Sequence, residues 1–421
     1  MKSNAVDTSN WIETSIDEIK ADEKAAIAIG PFGSRMKSDC YVGSGIPVIR
    51  GTNLTGGRAF EGEFVYITKE KAQEISSCNV REGDLVFPHR GSIGEVGIVP
   101  KDKRYVMSTS LMKLTCDKRK ADPFYLFYYF KSSTGRHELL KNSSQVGTPG
   151  IGQPLASLKS IRLILPPIQE QRAIAHILGT LDDKIELNRK MNQTLEAMAR
   201  ASFKSWFVDF DPVRAKAEGR DPGLLPDLAA LFPEGFEDSE LGEIPMGWRV
   251  QQLGDLIELA YGKALKEENR QPGNVPVFGS NGQVGTHNDK LVTGPGIVVG
   301  RKGNPGIVTW APSDFFPIDT TFYIVTKGTC NSLYFLFYAL QDQNLASLGA
   351  DSAVPGLNRN MAYMSQLVVP AAPILDAFDK VAQPVFERIS HNNVESRTLA
   401  SLRDALLPKL LSGEIRVHEA N

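Results

Sequence analysis

Side chains that donate and accept hydrogen bonds collect in glycine-rich loops in two separate parts of this chain of 421 residues. Arginine matches the acceptors on the edge of guanine, asparagine and glutamine match adenine, and serine suits either base. Glycine lets a loop bring its backbone close to a phosphate. The candidates for contacts with bases or phosphates are Arg35, Lys37, Arg50, Asn53, Arg58, Arg90 and Ser92 in the first part, and Lys263, Asn281, Gln283, Arg301, Lys302 and Asn304 in the second.

Each of these loops also has a plain structural interpretation, because glycine, asparagine and serine are common in ordinary turns. The alternative is sharpest for HRGSIG from His89 and RKGNPG from Arg301, which occupy equivalent positions in the two parts. They are either turns that the fold itself requires or loops that contact bases, and the sequence leaves both interpretations open.

The two parts repeat each other, and each is followed by a long amphipathic tract. The tract from Leu165 to Phe207 recurs at an offset of 204 residues, which pairs Asn188 with Asn392. Five shorter matches keep their order along the chain, beginning with Trp11 and Trp248. Chance rarely keeps so many matches colinear, so the sequence predicts an internal duplication.

The first tract predicts a helix from about Ile168 to Asp209, and the second a helix from about Pro373 to Leu411. A helix of roughly 40 residues is about 60 Å long and must bury its apolar stripe, so we expect the two helices to pack antiparallel on each other. Residues spaced three and four apart form the predicted seam of the first helix: Leu178, Leu181, Ile185, Asn188, Asn192, Leu195, Ala199, Ser202 and Trp206.

Polar and proline residues interrupt the pattern of both helices. Asn188 and Asn192 in the seam either fix the register of the helices or face solvent at its edge. Pro384 and Pro408 are expected to break or kink the second helix, because proline lacks a backbone donor and clashes with the preceding turn.

The other segments predict domains of strands and short helices. DLVFPHRGSIGEVGIV and GPGIVVGRKGNPGIVTW each predict a strand, a tight turn and a strand, and polar cap-like residues before PFYLFYYFKSS and SLYFLFYALQ favour helices there. We predict an α+β protein in which two duplicated mixed α/β domains are separated by two long antiparallel helices, a coiled-coil-like spacer with pseudo-twofold symmetry. The predicted segments are 1–166 and 248–369 for the domains, 167–209 and 370–414 for the helices, 210–247 for an acidic connector rich in proline and glycine, and 415–421 for a tail.

Composition and charge exclude several classes of protein. The net charge is −2, with +5 in residues 1–166 and −6 in the connector, and a modestly basic first domain is compatible with phosphate contacts. No apolar run is long enough for a membrane span, and the polar N-terminus predicts no export signal, so we expect a cytoplasmic protein. Four separated cysteines and six scattered histidines predict neither disulfides nor a metal site.

No catalytic motif is apparent. VVGRKGNPG lacks the spacing of a phosphate-binding loop, and no nucleophile elbow or methyltransferase cofactor loop is present. LDDK from Leu181 has the acidic residues and lysine of part of a nuclease site, but its place inside a helix favours a solvated helix face. The chain is therefore predicted not to be an enzyme.

The tract LPPIQEQRAIAHILGTLDDKIELNRKMNQTLEAMARASFKSWFVDF closely resembles the central conserved region of the specificity subunit of Type I restriction-modification systems. GRKGNPGIVTWAPSDFFPIDTTFYI and VPGLNRNMAYMSQLVVP resemble the second target-recognition domain of that family, and the resemblance covers essentially the whole chain. The second helix departs from it, because it lacks the set formed by Glu170, Gln171 and Arg172.

The resemblance implies two target-recognition domains, each reading one half of a split duplex DNA target, and helices that set the gap between the half-sites and dock two modification subunits. It implies that this chain binds no cofactor, that the modification subunits use S-adenosylmethionine to methylate adenine, and that restriction subunits add ATP- and Mg-dependent translocation and cleavage. The candidates for partner contacts are Glu170, Gln171, Arg172, Trp206 and Phe207, and the alternative for the aromatic pair is an intramolecular core.

Two other functions compete with this one. The chain could be a non-enzymatic scaffold whose paired domains bind proteins or single-stranded nucleic acid, or, with less support, a hydrolase without a recognisable motif. If the chain selected a pair of conserved duplex half-sites at one fixed spacing, that result would distinguish the DNA-specificity function from both the scaffold and the hydrolase.

Overall fold

The computed structural model describes residues 10–144, 147–328, 330–348 and 356–417. Its contacts divide the chain into two compact units: the first unit is Met1–Leu187 with Glu395–Asn421, and the second unit is Asn188–Val394. Both long helices pass from one unit into the other, so each unit joins one of the predicted mixed domains to about half of each helix.

The first unit contains two four-stranded sheets. Its strands are β1 Ile12–Ser15, β2 Ile27–Ile29, β3 Ile46–Ile49, β4 Val65–Ile67, β5 Asn79–Arg81, β6 Leu85–Pro88, β7 Gly97–Ile98, β8 Arg104–Met107, β9 Leu111–Leu114, β10 Ser143–Ser144, β11 Gly150–Ile151 and β12 Arg162–Leu165. One sheet has the antiparallel order β2-β9-β6-β7, and the other has the order β4-β3-β8-β5 with β3 and β8 parallel. β1 pairs with β12, and β10 pairs with β11.

The second unit contains one four-stranded and one three-stranded sheet. Its strands are β13 Phe236–Ser239, β14 Gly242–Pro245, β15 Arg249–Gln252, β16 Ile257–Tyr261, β17 Val275–Gly279, β18 Gly282–His287, β19 Gly296–Gly300, β20 Val308–Ala311, β21 Phe316–Pro317, β22 Thr321–Thr326 and β23 Gln366–Val369. The larger sheet has the antiparallel order β16-β22-β19-β20, and the smaller has the order β18-β17-β21 with β17 and β21 parallel. β15 pairs with β23, and β13 with β14.

The two units share most of their sheet topology, which confirms the predicted duplication. The sheet β2-β9-β6-β7 corresponds to β16-β22-β19-β20, the pair β1-β12 corresponds to β15-β23, and the parallel pair β3-β8 corresponds to β17-β21. The predicted strand, turn and strand segments are β6-β7 and β19-β20.

The helices of the chain are mostly short, with two exceptions. They are α1 Ile16–Ile19, α2 Lys69–Glu74, α3 Pro123–Lys131, α4 Ser133–Leu140, α5 Pro154–Lys159, α6 Ile168–Phe207, α7 Asp211–Ala217, α8 Pro226–Ala229, α9 Leu253–Leu256, α10 Leu333–Asp342, α11 Arg359–Tyr363 and α12 Ala372–Leu411. The predicted helices in the two aromatic segments are confirmed as α3 and α10. The Asp122 side chain accepts hydrogen bonds from the first turn of α3, and the Ser332 hydroxyl accepts one from the first turn of α10.

The long helices α6 and α12 are copies of equal length. Each has 40 residues, and both their first and their last residues lie 204 positions apart, which is the offset seen in the sequence. α12 is one continuous helix through Pro384 and Pro408, so the prediction of a break was wrong. Each proline removes only one backbone donor, and the buried side chains of Phe378, Phe386 and Leu410 hold the helix against the unit cores on either side of the prolines.

The two long helices run antiparallel within each unit, as predicted. In the first unit, Arg403 Nη1 lies 2.6 Å from Asp182 Oδ1, and Lys184 Nζ lies 3.3 Å from Glu395 Oε2. Asp182 also accepts a hydrogen bond from the Tyr128 hydroxyl at 2.6 Å. Asp182 therefore links the two long helices to α3. The prediction of a solvated helix face is wrong for this residue, whose carboxylate is partly buried and has the partners that burial of a charge requires.

In the second unit, asparagines occupy the seam between the helices. The Asn188 and Asn392 side chains are buried, so they do not face solvent. Asn188 Nδ2 donates to Asn392 O at 3.5 Å, Asn392 Nδ2 donates to Asn192 Oδ1 at 2.8 Å, and Asn192 Nδ2 donates to Asn393 Oδ1 at 2.8 Å. Asn188 and Asn392 are equivalent in the two copies, so the duplication places like residues against each other.

Replacing Asn188 and Asn392 with leucine is expected to leave the free energy of unfolding unchanged or to raise it by up to about 2 kcal/mol, because apolar pairs replace buried polar groups. The helices should then sample other registers, since a buried asparagine selects register at a cost in stability. Disulfide trapping between Lys184→Cys and Glu395→Cys reports the native register, and Glu196→Leu on the exposed face of α6 is the control. A large loss of stability with an unchanged trapping pattern would argue against this role.

The acidic segment 210–247 is folded onto the second unit. It contains α7, α8 and the hairpin β13-β14, and the side chains of Phe210, Phe232 and Ile244 are buried in the same core as Trp248. Its apolar residues therefore belong to the core of the second unit, while its charged residues remain largely exposed.

Candidate nucleic-acid interface

Four loop segments of the first unit meet around the turn that follows β6. Gly30 N, after β2, donates to Leu111 O at 2.7 Å, and His89 N donates to Ser110 O at 2.9 Å. Ile151 N, in β11, donates to His89 O at 2.9 Å. These backbone bonds join the loop after β2, the turn after β6, the segment before β9 and the strand β11 into one cluster.

The second unit builds the same cluster with the same bonds. Gly262 N donates to Thr321 O at 3.1 Å, Arg301 N donates to Thr320 O at 2.9 Å, and Leu357 N donates to Arg301 O at 2.9 Å. The equivalence of HRGSIG and RKGNPG is therefore structural. Val354 and Pro355, the start of the VPGLN match, lie outside the described residues.

Glycine is required at two points in each cluster. A Cβ atom on Gly30 would lie 1.8 Å from Ser108 O, and one on Gly262 would lie 2.1 Å from Ile318 O, so a side chain there would force the loops apart. Gly91 and Gly303, in the middle of the turns, have φ of 81° and 82°, a region that favours glycine.

The turns are thus structural, and they also present side chains to solvent. Arg90 and Ser92 are exposed in the first unit, and Lys302 and Asn304 are exposed at the equivalent positions of the second. Both interpretations of these turns therefore hold together: glycines and backbone bonds make the turn, and the residues between them are available for a ligand.

The side chain of the first residue of each turn donates a hydrogen bond to a neighbouring loop. His89 Nε2 donates to Thr109 O at 3.1 Å, and Arg301 Nη1 donates to the equivalent carbonyl of Asp319 at 3.0 Å. Burial lowers the pKa of His89 below its ordinary value, although the hydrogen bond to Thr109 opposes this effect. A neutral imidazole therefore stands in the first unit where a permanently charged guanidinium stands in the second.

Five further candidates have exposed side chains: Arg35, Lys37, Lys263, Asn281 and Gln283. Lys263 follows directly on Gly262 in the cluster of the second unit, and its backbone N donates to Pro317 O at 3.1 Å. Gly303 lies beside Ser280, because a Cβ atom on it would be 3.4 Å from Ser280 Oγ, so the loop that carries Asn281 adjoins the same turn.

Asn53 and Arg50 brace a loop instead of facing a ligand. Asn53 is buried, its Oδ1 accepts from Arg50 N at 2.9 Å, and its Nδ2 donates to the carbonyls of Glu61 and Glu63 at 2.7 and 3.1 Å. Arg50 Nη2 also donates to Glu63 O at 3.0 Å. The proposal that Asn53 reads a base is corrected, because its hydrogen-bonding groups are used inside the loop.

Arg58 is likewise engaged within the first unit. Its Nη1 donates to Gly179 O at 3.0 Å and to Asp183 Oδ1 at 2.7 Å, and its guanidinium lies 5.1 Å from the ring centre of Phe124. This arginine therefore ties a loop of the domain to α6.

The expected partner contacts are mostly internal. Arg416 forms two hydrogen bonds with the Glu170 carboxylate, at 2.7 and 2.9 Å. The buried Gln171 side chain donates to Pro166 O and accepts from Asp122 N. Arg172 remains exposed.

Trp206 and Phe207 lie in the core of the second unit, where both are nearly fully buried. The ring centre of Trp206 is 5.3 Å from that of Phe232, and the ring centre of Phe207 is 5.1 Å from those of Phe335 and Phe378. Both rings therefore pack inside this unit, as the alternative of an intramolecular core expects, because α10, α12 and the acidic segment cover them.

Sequence reasoning missed two residues of the second cluster. Tyr261, at the end of β16, has an exposed ring, and the guanidinium groups of Arg301 and Arg359 lie 4.8 and 5.0 Å from its centre. Tyr261 and Arg359 are 98 positions apart in the chain. The available signal was an aromatic residue directly before the glycine and lysine of YGKALK.

No group of three or more histidine, cysteine, aspartate or glutamate side chains within the described ranges is arranged to hold a metal ion. Among those same residues, no helix is both long enough and apolar enough to cross a membrane.

Comparison with known proteins identifies similar sequences over most of the chain. The sequence model of the Type I restriction modification DNA specificity domain matches twice, at residues 33–197 and 245–364. The HindI specificity subunit of a Type I restriction enzyme from Haemophilus influenzae is 29% identical over 411 residues, covering 80% of this chain and 87% of that protein. The MjaIX specificity subunit from Methanocaldococcus jannaschii is 28% identical over 413 residues, covering 90% of this chain and 89% of that protein.

A solved structure has the same fold. The crystal structure of the S subunit of a Type I restriction-modification system from M. genitalium superposes with a TM-score of 0.62, at 18% identity, over 100% of this chain and 99% of that chain. The two matches of the sequence model fall on the two duplicated units, and the scaffold interpretation is not favoured by these similarities.

Proposed function

We propose, because this chain belongs to the family of Type I restriction-modification DNA specificity subunits, that each of its units binds one half of a split duplex DNA target. The observation that supports this proposal most directly is the recurrence of one loop cluster, with the same backbone hydrogen bonds, in both units. Two copies of one binding surface suit a target with two parts, whereas a single contiguous target needs only one.

The chemistry of the exposed loop residues fits duplex DNA. Arg90 and Lys302 carry positive charge at equivalent turn positions, and Ser92 and Asn304 offer donors and acceptors two residues later. Basic side chains supply affinity through phosphates, while polar side chains distinguish base edges. We assign the first pair to phosphate contacts and the second pair to base contacts.

The long helices act as the spacer of the proposed complex and as its docking surface. Within each unit they expose apolar side chains that no core covers, including Leu187, Met198 and Leu402, which are about half exposed. Modification subunits that dock there would supply S-adenosylmethionine and methylate adenine, and restriction subunits would supply ATP- and Mg-dependent cleavage. The assembly would act in the cytoplasm, where the DNA is.

Sequencing of methylated adenines tests the function. A host that expresses this chain with its modification subunits should carry methylation at one two-part motif with a fixed gap, and a host that expresses the modification subunits alone should not. Methylation at a contiguous motif, or at the same sites without this chain, would refute the proposal.

Substitutions in the turns should separate the two kinds of contact. Arg90→Ala or Lys302→Ala should weaken binding to all DNA sequences, and each should lower the slope of log affinity against log salt concentration by about 1. Ser92→Ala should relax the preference in one half-site, and Asn304→Ala in the other. Lys380→Ala, an exposed lysine on α12, is the matched control. A change in both half-sites from a single substitution would contradict modular reading.

A further inference from the structure

An aromatic ring between two arginines distinguishes the second unit. Tyr261 is the last residue of β16, and half of its surface is exposed. The Arg301 and Arg359 guanidinium carbons lie 4.8 and 5.0 Å from its ring centre, and the buried ring of Phe322 lies 5.0 Å away on β22. We call Tyr261, Arg301 and Arg359 the arginine-tyrosine stack.

Backbone and side-chain hydrogen bonds hold the loops that carry the two arginines. Arg301 Nη1 donates to Asp319 O, and the Arg301 backbone is bonded to Thr320 and Leu357. Arg359 is the first residue of α11, whose first turn is capped by the Asn358 side chain. A loop carbonyl therefore fixes the Arg301 guanidinium, whereas the Arg359 guanidinium is placed by its backbone and by the rings of Tyr261 and Tyr363, whose centres are 5.0 and 5.7 Å away.

No carboxylate of the described residues neutralises the charge of the stack. Among the residues that the structure describes, neither Arg301 nor Arg359 forms an ion pair with a carboxylate. Lys302 is the chain neighbour of Arg301, and Lys263 follows Tyr261 by two residues; both are exposed. Four positive charges in adjoining loops favour an anionic ligand with acceptor atoms, which is what duplex DNA offers.

The two arginines differ in their hydrogen bonds to the described residues. Its guanidinium makes no hydrogen bond to any described residue, whereas Arg301 already donates to Asp319. A guanidinium has five donors in a rigid planar fork, and this fork matches the paired acceptors O6 and N7 of guanine. The same fork also matches two phosphate oxygens. A base is favoured because Arg359 has no arginine counterpart in the first unit, whereas phosphate contacts are the same along any DNA sequence.

The first unit lacks the stack at the same place. The shared backbone bonds make Ile29 the equivalent of Tyr261, His89 the equivalent of Arg301, and Gln153 the equivalent of Arg359. The duplicated fold therefore forms without these three side chains, so the fold alone does not account for their presence in the second unit.

We infer that Arg359 reads a guanine in the half-site bound by the second unit, and that Tyr261 and Arg301 hold its guanidinium in the reading position. The inference rests on the proposed function and adds to it the base that is recognised and the residues that recognise it. Arg359 is the contact residue, and the other two are positioning residues.

The test uses the full complex with its modification subunits and sequences the methylated sites. Arg359→Lys keeps the charge and removes the fork, so it should reduce the preference for guanine at one position of one half-site by about tenfold or more. The salt dependence of DNA binding and the other half-site should stay unchanged. Tyr261→Ala should have the same effect, whereas Tyr261→Phe should retain the preference because it keeps the ring.

Gln153→Ala, at the equivalent position of the first unit, is the matched control and should leave that guanine preference intact. If Arg359→Lys keeps the sequence preference while Arg359→Gln lowers the salt slope, Arg359 contacts a phosphate and the inference is overturned. If the unsubstituted complex methylates a two-part motif that has no guanine in the half-site of the second unit, this inference fails while the proposed function stands. If it methylates no two-part motif, the proposed function has failed instead.

Discussion

A seven-residue insertion at the same level of both long helices is expected to lengthen the gap between the two DNA half-sites and to leave the half-site sequences unchanged. The suitable points are between Leu187 and Asn188 in α6 and between Val394 and Glu395 in α12. Seven residues add about 10.5 Å of helix, and base pairs rise about 3.4 Å, so the gap should grow by about three base pairs.

The insertion points follow from the contacts of the two units. Each point coincides with the division between the units, so the insertion keeps the ion pair between Lys184 and Glu395 and the asparagine contacts of Asn188 and Asn392. Seven residues are nearly two full turns, so an insert that continues the heptad pattern also continues the apolar seam.

Sequencing of methylated sites measures the gap directly. An insertion in α6 alone is the control, and it should abolish site-specific methylation because the helices can no longer pair on both sides of the insert. An unchanged gap with altered half-sites would show that the helices do not act as the spacer.

Trp206→Ala is expected to lower the free energy of unfolding of the second unit by about 3–5 kcal/mol, the usual cost of removing a large buried ring. The Trp206 ring contacts Phe207, Phe232 and Phe378, so its loss leaves a cavity where α6, α12 and the acidic segment meet. Chemical denaturation followed by the fluorescence of Trp248 and Trp310 reports on this unit.

Met198→Ala is the matched control for Trp206→Ala, because Met198 lies on the same helix and is 57% exposed. Its effect on stability should stay within about 0.5 kcal/mol. If instead Trp206→Ala left the stability intact and weakened assembly with a modification subunit, the residue would be a partner contact after all.

The long helices were predictable because their signal is local and repeated. Apolar residues at spacings of three and four identify a helix face within a single tract, and the offset of 204 residues identifies its copy. The break expected at Pro384 and Pro408 does not occur, since a proline's cost is local while the compensating burial of Phe378 and Phe386 comes from elsewhere in the fold.

The candidate site was predictable only in part. Glycine spacing and the repeat located the turns at His89 and Arg301, but residue type did not reveal which polar side chains were already engaged. Asn53 and Arg58 have the same chemistry as exposed readers, and their partners, such as Glu61 and Asp183, are set by loop closure and by packing on α6.

The sequence by itself determined the duplication, the long paired helices and the position of the turns, because periodicity and repetition are properties of the order of residues along the chain. Only the tertiary structure decided that Trp206 faces a core and not a partner, and that Tyr261 and Arg359 belong to one stack. Those outcomes depend on which distant parts of the chain pack together. The type of a residue indicates how much free energy its burial contributes, but it does not indicate which residues cover it.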